Sequence, residues 1–229
     1  MNERFLKWFL IVNIVVLSGF FLWGYMLPLF NMGADLSNLQ EMEVKAPEFK
    51  IENPPPLEVG TNLTDSIKYT VDATALEDWV FFDFSSGSTV SATNWESLNW
   101  DLAFRRAKIL TNGGITNPQG KGGILRLEGA EFQALSEAPE SGYVLDEKPK
   151  NTSEFANPHI DKWYNYNYWT HGLTPKDEIY VIRTADGKFA KMVIEDYYCG
   201  QTAGCMSFTY VYQGNGSRTF IRNPGEEKA

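Results

Sequence analysis

Apolar and polar residues alternate with a period of two through most of residues 65–222. In the segment SIKYTVDA the apolar positions are Ile67, Tyr69 and Val71. Successive side chains of a strand point to opposite faces, so this pattern predicts strands with one buried face. The pair Asp186-Gly187 separates two such runs and predicts a hairpin, because both residues tolerate positive φ. Helical patterns are few and strand–helix–strand alternation is absent, which predicts an antiparallel, multi-stranded all-β domain.

The segment NWDLAFR shows how the alternation assigns residues to faces. One face is predicted to carry Trp100, Leu102 and Phe104, and the other to carry Asp101, Ala103 and Arg105. The first face is the more apolar, so we expect Trp100 and Phe104 to belong to the core.

The predicted β domain occupies residues 65–222 and follows two segments of different character. Residues 31–64 contain several prolines and little periodicity, which predicts a linker. Residues 223–229, which read NPGEEKA, are predicted to form a flexible tail. Residues 1–30 form a separate N-terminal segment.

That N-terminal segment carries no charge between residues 8 and 30. About 20 apolar residues in a helix span the hydrocarbon core of a bilayer, so we expect a transmembrane anchor here. Arg4 and Lys7 precede the segment and predict a cytoplasmic N-terminus. The β domain would then face the periplasm or the exterior of a bacterial cell envelope. A signal peptide is the alternative, although this segment ends in large residues rather than small ones.

The amino-acid composition argues against two kinds of binding site. The 29 acidic residues outnumber the 20 basic ones and give a net charge of −9, so a nucleic-acid partner is not expected. With two cysteines and two histidines in the chain, zinc sites built from several of each are excluded. Cys199 and Cys205 flank the turn-like run GQTAG between two predicted strands. Cysteines that face each other across a hairpin reach disulfide geometry, and an exported domain allows the bond to form.

Both histidines lie in residues 155–171, which read FANPHIDKWYNYNYWTH and include six aromatic residues. Neutral imidazole offers a lone pair to a metal, and aromatic walls suit a flat, apolar cofactor. Histidine among aromatic residues is therefore the composition of a haem pocket. Alternatively, the segment is a strand whose Tyr164, Tyr166 and Tyr168 pack on the core, with both histidines exposed.

Five segments occur in order over about residues 65–213: DWVFFDFSSGSTV, LNWDLAFRRAKILTNGG, GKGGILRLEG, IYVIRTADGKFAKMVIEDYY and SFTYVY. The most specific are Trp100–Arg106 with Asn112-Gly113-Gly114, and Ala185-Asp186-Gly187 followed by Lys191. Together these segments resemble the HmuY family of bacterial haem-binding proteins. The resemblance implies an all-β protein that captures haem outside the cytoplasm and holds its iron with two axial side chains.

The resemblance also indicates which residues hold the iron. His171 stands shortly before IYVIR, as one family ligand does, and it is implied as an axial ligand. His159 is the other histidine of the region and is implied as the second ligand. Further residues complete the cofactor site, namely Tyr166, Tyr168 and Trp169. Alternative ligands are a tyrosine (Tyr164, Tyr166 or Tyr168) or a methionine (Met192 or Met206).

Two functions remain open after this reading, and an enzyme is not expected. The first is a membrane-anchored, extracytoplasmic haem-binding protein, with haem-carrying proteins and an outer-membrane haem receptor as its partners. The second is a cofactor-free β domain of the cell envelope that uses its aromatic segment as a protein interface. The sequence has no Gly-rich phosphate loop and no Gly-x-Ser-x-Gly elbow, which argues against catalysis.

Overall fold

The computed structural model describes residues 3–31, 49–92, 94–150 and 152–220. The chain divides into two compact units, residues 1–48 and residues 49–229. Helix α1, Glu3–Asn31, lies in the first unit. Much of the predicted linker, residues 32–48, and the predicted tail, residues 223–229, fall outside the described residues.

Helix α1 begins and ends close to the bounds of the N-terminal segment recognised in the sequence. Among the described residues, however, no helix combines the length and the apolar character that a membrane crossing requires. The prediction that residues 8–30 span a membrane is therefore not supported.

Antiparallel strands account for the regular structure described in the second unit. Their bounds are β1 Ile67–Asp72, β2 Val80–Asp83, β3 Ser88–Val90, β4 Leu102–Arg105, β5 Lys108–Thr111, β6 Gly123–Glu128, β7 Tyr164–Tyr166, β8 Leu173–Pro175, β9 Glu178–Arg183, β10 Phe189–Cys199 and β11 Thr202–Gln213. A five-stranded sheet has the order β1-β11-β10-β9-β6, a four-stranded sheet the order β3-β2-β4-β5, and β7 pairs with β8. Every pairing among these strands is antiparallel, which confirms the predicted fold class.

The two larger sheets pack against each other through aromatic side chains. Phe82 and Phe104 of the four-stranded sheet lie 5.2 and 5.7 Å from Phe208 of β11, between ring centroids. Phe84 lies 5.3 Å from Tyr210 in the same layer. All five side chains are fully buried. The alternation along the strands thus places their aromatic faces in one shared core, as the period of two requires.

Trp100 is buried, as predicted, but on the other side of the four-stranded sheet from Phe104. Its ring packs with Ala103 and Leu110 in a second, smaller cluster. The predicted common face is wrong here because β4 begins at Leu102, so strand alternation does not extend back to Trp100.

The Asp101 carboxyl group is buried between the two larger sheets. One of its oxygens accepts the Phe84 N–H at 2.9 Å, and the other accepts the Ala185 N–H at 2.8 Å. Phe84 follows β2 and Ala185 lies in the β9–β10 turn, so a single carboxyl group connects the two larger sheets. Two hydrogen bonds compensate a buried polar group that would otherwise be costly.

Strands β10 and β11 form a long hairpin that ends in a disulfide bond. Cys199 and Cys205 are joined, with 5.4 Å between their Cα atoms, and the predicted pairing is confirmed. The turn is tighter than the sequence indicated, because β11 already begins at Thr202, which pairs with Cys199. The bond fixes the end of the hairpin that lies beside Tyr198.

A second buried carboxylate, Asp146, holds the segment that leads towards β7. It accepts hydrogen bonds from the Thr111 amide and hydroxyl, from the Thr116 hydroxyl and from the Asn157 amide, at 2.7 to 3.0 Å. Thr111 ends β5, whereas Asn157 stands two residues before His159. Asp146 therefore ties the entry to the candidate site onto the four-stranded sheet.

Candidate functional site

Strands β7 and β8 form a short hairpin that carries most of the predicted site residues. Tyr164 pairs with Pro175, and Tyr166 pairs with Leu173. The connecting loop, residues 167–172, is closed by Asn167. Its N–H donates to the Gly172 carbonyl at 2.9 Å, and its side-chain oxygen accepts backbone N–H groups of the loop. Such side-chain bonds to nearby backbone define the loop conformation without burying it.

The base of this hairpin is firmly held by the rest of the fold. Trp163 is 1% exposed, and its indole N–H donates to the Ala107 carbonyl at 2.9 Å. The Tyr198 hydroxyl of β10 accepts the Leu173 N–H of β8 at 2.8 Å. These bonds connect the hairpin to the β4–β5 turn and to the disulfide-bonded hairpin.

Aromatic side chains at the tip of the hairpin project into solvent. Tyr166, Tyr168 and Trp169 are 52%, 74% and 89% exposed. The alternative in which Tyr164, Tyr166 and Tyr168 all pack on the core is wrong, because only Tyr164 of the three is partly buried. A contiguous exposed aromatic patch on a small β domain is typical of a binding surface.

His171 lies within this aromatic tip and has an unusual backbone conformation. Its φ is +55°, in the left-handed region that residues other than glycine seldom adopt. Its ring is 5.9 Å from the Tyr166 ring and 6.4 Å from the Tyr168 ring, between centroids. Its Nδ1 is hydrogen-bonded to the Tyr166 hydroxyl. The structure thus brings together four predicted site residues: Tyr166, Tyr168, Trp169 and His171.

His159 occupies a different place, beside the edge strand β6. Its Nδ1 lies 3.0 Å from the Ile124 carbonyl oxygen and 3.3 Å from the Arg126 amide nitrogen. The backbone N–H of His159 donates to the side-chain oxygen of Asn157 at 3.1 Å. Within the described residues, none of the hydrogen bonds or ring contacts of His159 joins it to the β7–β8 hairpin.

The two imidazoles nevertheless share a feature that suits iron ligation. Each ring uses Nδ1 for its hydrogen bond, and in the described part of the chain Nε2 has no hydrogen-bond partner. A ligating histidine usually donates one ring N–H to a carbonyl or other acceptor and binds the metal through the second nitrogen. Ile124 O offers such an acceptor to His159, and the Tyr166 oxygen offers one to His171.

The two methionines that were alternative ligands lie inside the protein. Met192 and Met206 have no exposed surface and belong to the main core. Within the described residues no group of three or more His, Cys, Asp or Glu side chains is arranged to hold a metal ion.

The residues that support the site escaped the sequence analysis. Asn167 closes the loop, while Tyr198 and Trp163 hold its base through bonds that cross 25 and 56 positions of the chain. The alternation of apolar and polar residues predicts only which side chains share a face of a strand. It therefore could not predict these contacts between residues far apart in the chain. The hydrogen bonds of Asn167 are local to its loop. An asparagine at the start of a short loop is a common turn-former, and it was the one feature of the sequence that could have predicted this loop.

The fold and the site define an antiparallel β protein that presents histidine and aromatic side chains on an anchored hairpin. The chain belongs to the HmuY family: the family model described as HmuY protein matches residues 75–210, more than half of the sequence. A search of curated proteins gives no match.

Solved structures share this fold at low sequence identity. A candidate lipoprotein from Bacteroides fragilis is 24% identical, with 67% of this chain and 92% of that chain covered and a TM-score of 0.53. A candidate HmuY-like haem-binding protein from Bacteroides vulgatus is 22% identical, with 69% of this chain and 98% of that chain covered and a TM-score of 0.53. The apo HmuY analogue of Tannerella forsythia is 20% identical, with 67% of this chain and 99% of that chain covered and a TM-score of 0.53. At these identities the similarity shows the fold.

Proposed function

We propose that this protein binds haem outside the cytoplasm, with the β7–β8 hairpin as the capture element and His171 as an axial ligand. The observation that carries the proposal is the exposed His171 imidazole among Tyr166, Tyr168 and Trp169 on a hairpin whose base is fixed. Exposed aromatic rings offer faces to a flat macrocycle, and a neutral imidazole offers a lone pair to its iron.

His159 is the second axial ligand in this proposal. It is the other imidazole of the chain, and its Nδ1 has a carbonyl acceptor that would orient the ring for ligation through Nε2. When bound, haem supplies the iron and the porphyrin ring. The protein residues supply the axial nitrogens and the aromatic contacts.

Two further observations support an extracytoplasmic role. The Cys199–Cys205 disulfide is typical of proteins exposed to an oxidising compartment. One solved structure with the same fold is described as a candidate lipoprotein, and another as a candidate HmuY-like haem-binding protein. These observations support our proposal that the protein acts in the cell envelope, facing the periplasm or the exterior, with haem or a haem-carrying protein as its partner.

Haemin titration of the full chain, followed by visible absorption, tests the proposal. We expect a shifted Soret band with low-spin character, because two imidazoles are strong axial ligands. His171→Ala should abolish binding or weaken it at least tenfold. His159→Ala should move the spectrum towards high spin, because it removes one of the two strong axial ligands.

Thr174→Ala, on an exposed position of β8, is the matched control and should bind as the unmodified chain does. An unchanged Soret shift and affinity in His171→Ala would refute the site assignment. An unmodified chain that shows no Soret shift at micromolar haemin would refute haem binding itself. The exposed aromatic tip would then be better explained as a cofactor-free protein interface.

A further inference from the structure

A cavity of about 430 Å³ opens beside the four-stranded sheet, away from the haem-capture hairpin in sequence. The residues that line it come from two stretches, 79–116 and 153–155. Its volume lies in the range of about 300–1,000 Å³ that is usual for small-molecule sites. The cavity therefore has room for a ligand of its own.

Aromatic and aliphatic side chains form most of its wall: Trp79, Trp95, Leu110 and Phe155. The Trp79 and Trp95 rings pack edge to face with 5.6 Å between centroids, and Trp95 packs in the same way on buried Trp100 at 5.5 Å. Rings held by such contacts do not have to be ordered when a ligand binds, which lowers the entropic cost of binding.

A cluster of charged side chains completes the wall. Arg105 Nη2 lies 2.6 Å from Glu154 Oε1, and the guanidinium carbon of Arg105 lies 4.5 Å from the Trp79 ring centroid. Lys108 also contacts Glu154 from β5. Arg105 has five N–H donors, and within the described residues only Nη2 forms a hydrogen bond. Donors and a carboxylate thus lie side by side at an otherwise apolar wall.

The charges at this wall select among ligand classes. A cationic ligand would be repelled by Arg105 and Lys108, and a carboxylate ligand would have to displace Glu154 from both cations. A wholly apolar ligand would remove water from the ion pair without replacing its hydrogen bonds, which is costly. A neutral ring with hydroxyl groups avoids all three penalties, because hydroxyls both donate to Glu154 and accept from Arg105.

We propose that this cavity binds a neutral saccharide, with the apolar C–H face of a sugar ring against the indoles and its hydroxyls on Arg105 and Glu154. The hydroxyl of Ser153, which also lines the cavity, extends the polar side of the site. The site is independent of the haem proposal, since none of its lining residues is a proposed haem ligand.

The test uses the full chain with ¹⁵N-labelled tryptophan and a panel of methyl glycosides of glucose, galactose, mannose and N-acetylglucosamine. With at least one of these probes, the indole N–H signals of Trp79 and Trp95 should shift saturably, while that of exposed Trp169 should not. Glu154→Gln should weaken this binding about tenfold, because a neutral amide is a poorer acceptor than a carboxylate. Glu147→Gln, an exposed carboxyl seven positions earlier, should leave it unchanged.

His171→Ala should bind the same glycosides as the unmodified chain, whatever its effect on haemin. The proposal is overturned if no glycoside of the panel shifts the Trp79 and Trp95 signals. It is equally overturned if benzoate shifts them at lower concentration than every glycoside, or if the Glu154 and Glu147 variants bind alike.

Discussion

Asp146 shows how one buried side chain positions several segments. Its carboxylate accepts four hydrogen bonds from Thr111, Thr116 and Asn157 and is almost completely buried. Burial raises the pKa of this carboxyl, while the hydrogen bonds from Thr111, Thr116 and Asn157 act in the opposite direction. Burying Asp146 is costly because its carboxyl loses water, but its hydrogen bonds offset this cost and join β5 to the segment before His159.

Asp146→Asn should lower the free energy of unfolding by about 2 kcal/mol, because one acceptor oxygen becomes an NH₂ group that faces a donor. Urea denaturation of the full chain measures this change. Asp177→Asn, on an exposed carboxyl, is the control and should change the free energy by less than about 0.5 kcal/mol. Equal stability of the two variants would show that the Asp146 network does not stabilise the fold.

Among the elements, the long strands could be predicted from sequence and the site hairpin could not. Strands β9 and β10 alternate or run apolar over six to eleven residues, and the Asp186-Gly187 turn between them was predicted. Strands β7 and β8 have three residues each, too few for alternation to identify. Their place in the fold depends on distant partners such as Tyr198, so the sequence predicted the residue types of the site but not their exposure.

Tyr198→Phe should loosen the β7–β8 hairpin, because it removes the hydroxyl that accepts the Leu173 N–H. We expect faster amide hydrogen exchange within residues 164–175 and a loss of about 1 kcal/mol in the free energy of unfolding. Hydrogen-exchange mass spectrometry measures the first effect. Tyr143→Phe removes a hydroxyl bonded to the Pro139 carbonyl and should leave that hairpin unchanged. Identical exchange in the two variants would contradict the anchoring role of Tyr198.

At the scale of the whole molecule, buried carboxyls link the stability of the fold to pH. Burial, reinforced by nearby Asp83, raises the pKa of Asp101 to about 8, although two backbone N–H groups favour its charged form. An unfolded aspartate has a pKa of about 4, so the folded state holds the proton more tightly. This contribution to stability is fully present below about pH 4 and is lost as pH rises through about 8.

For Asp101 alone, the free energy of unfolding should therefore fall by about 3.5 kcal/mol between pH 5 and pH 8. The raised pKa of Asp146 acts in the same direction. The pKa values of Asp186 and Glu195 are lowered in the folded state, so their contribution to stability is present at neutral pH and is lost only in acid. Urea titrations across this range should show a flatter profile for Asp101→Asn than for Asp161→Asn, whose carboxyl is exposed. Parallel profiles would exclude Asp101 as the source of the pH dependence.

The imidazole of His159 has a consequence for the solubility of the protein. Strand β6 ends the five-stranded sheet, and beyond its bridge from Ile124 to Val144 the His159 ring lies against this edge, with Nδ1 3.0 Å from Ile124 O and 3.3 Å from Arg126 N. An open strand edge is a template for pairing with another chain, and this ring takes the place that a neighbouring strand would occupy. Removing the ring would uncover that edge, so His159→Ala would favour edge-to-edge self-association as the protein concentration rises.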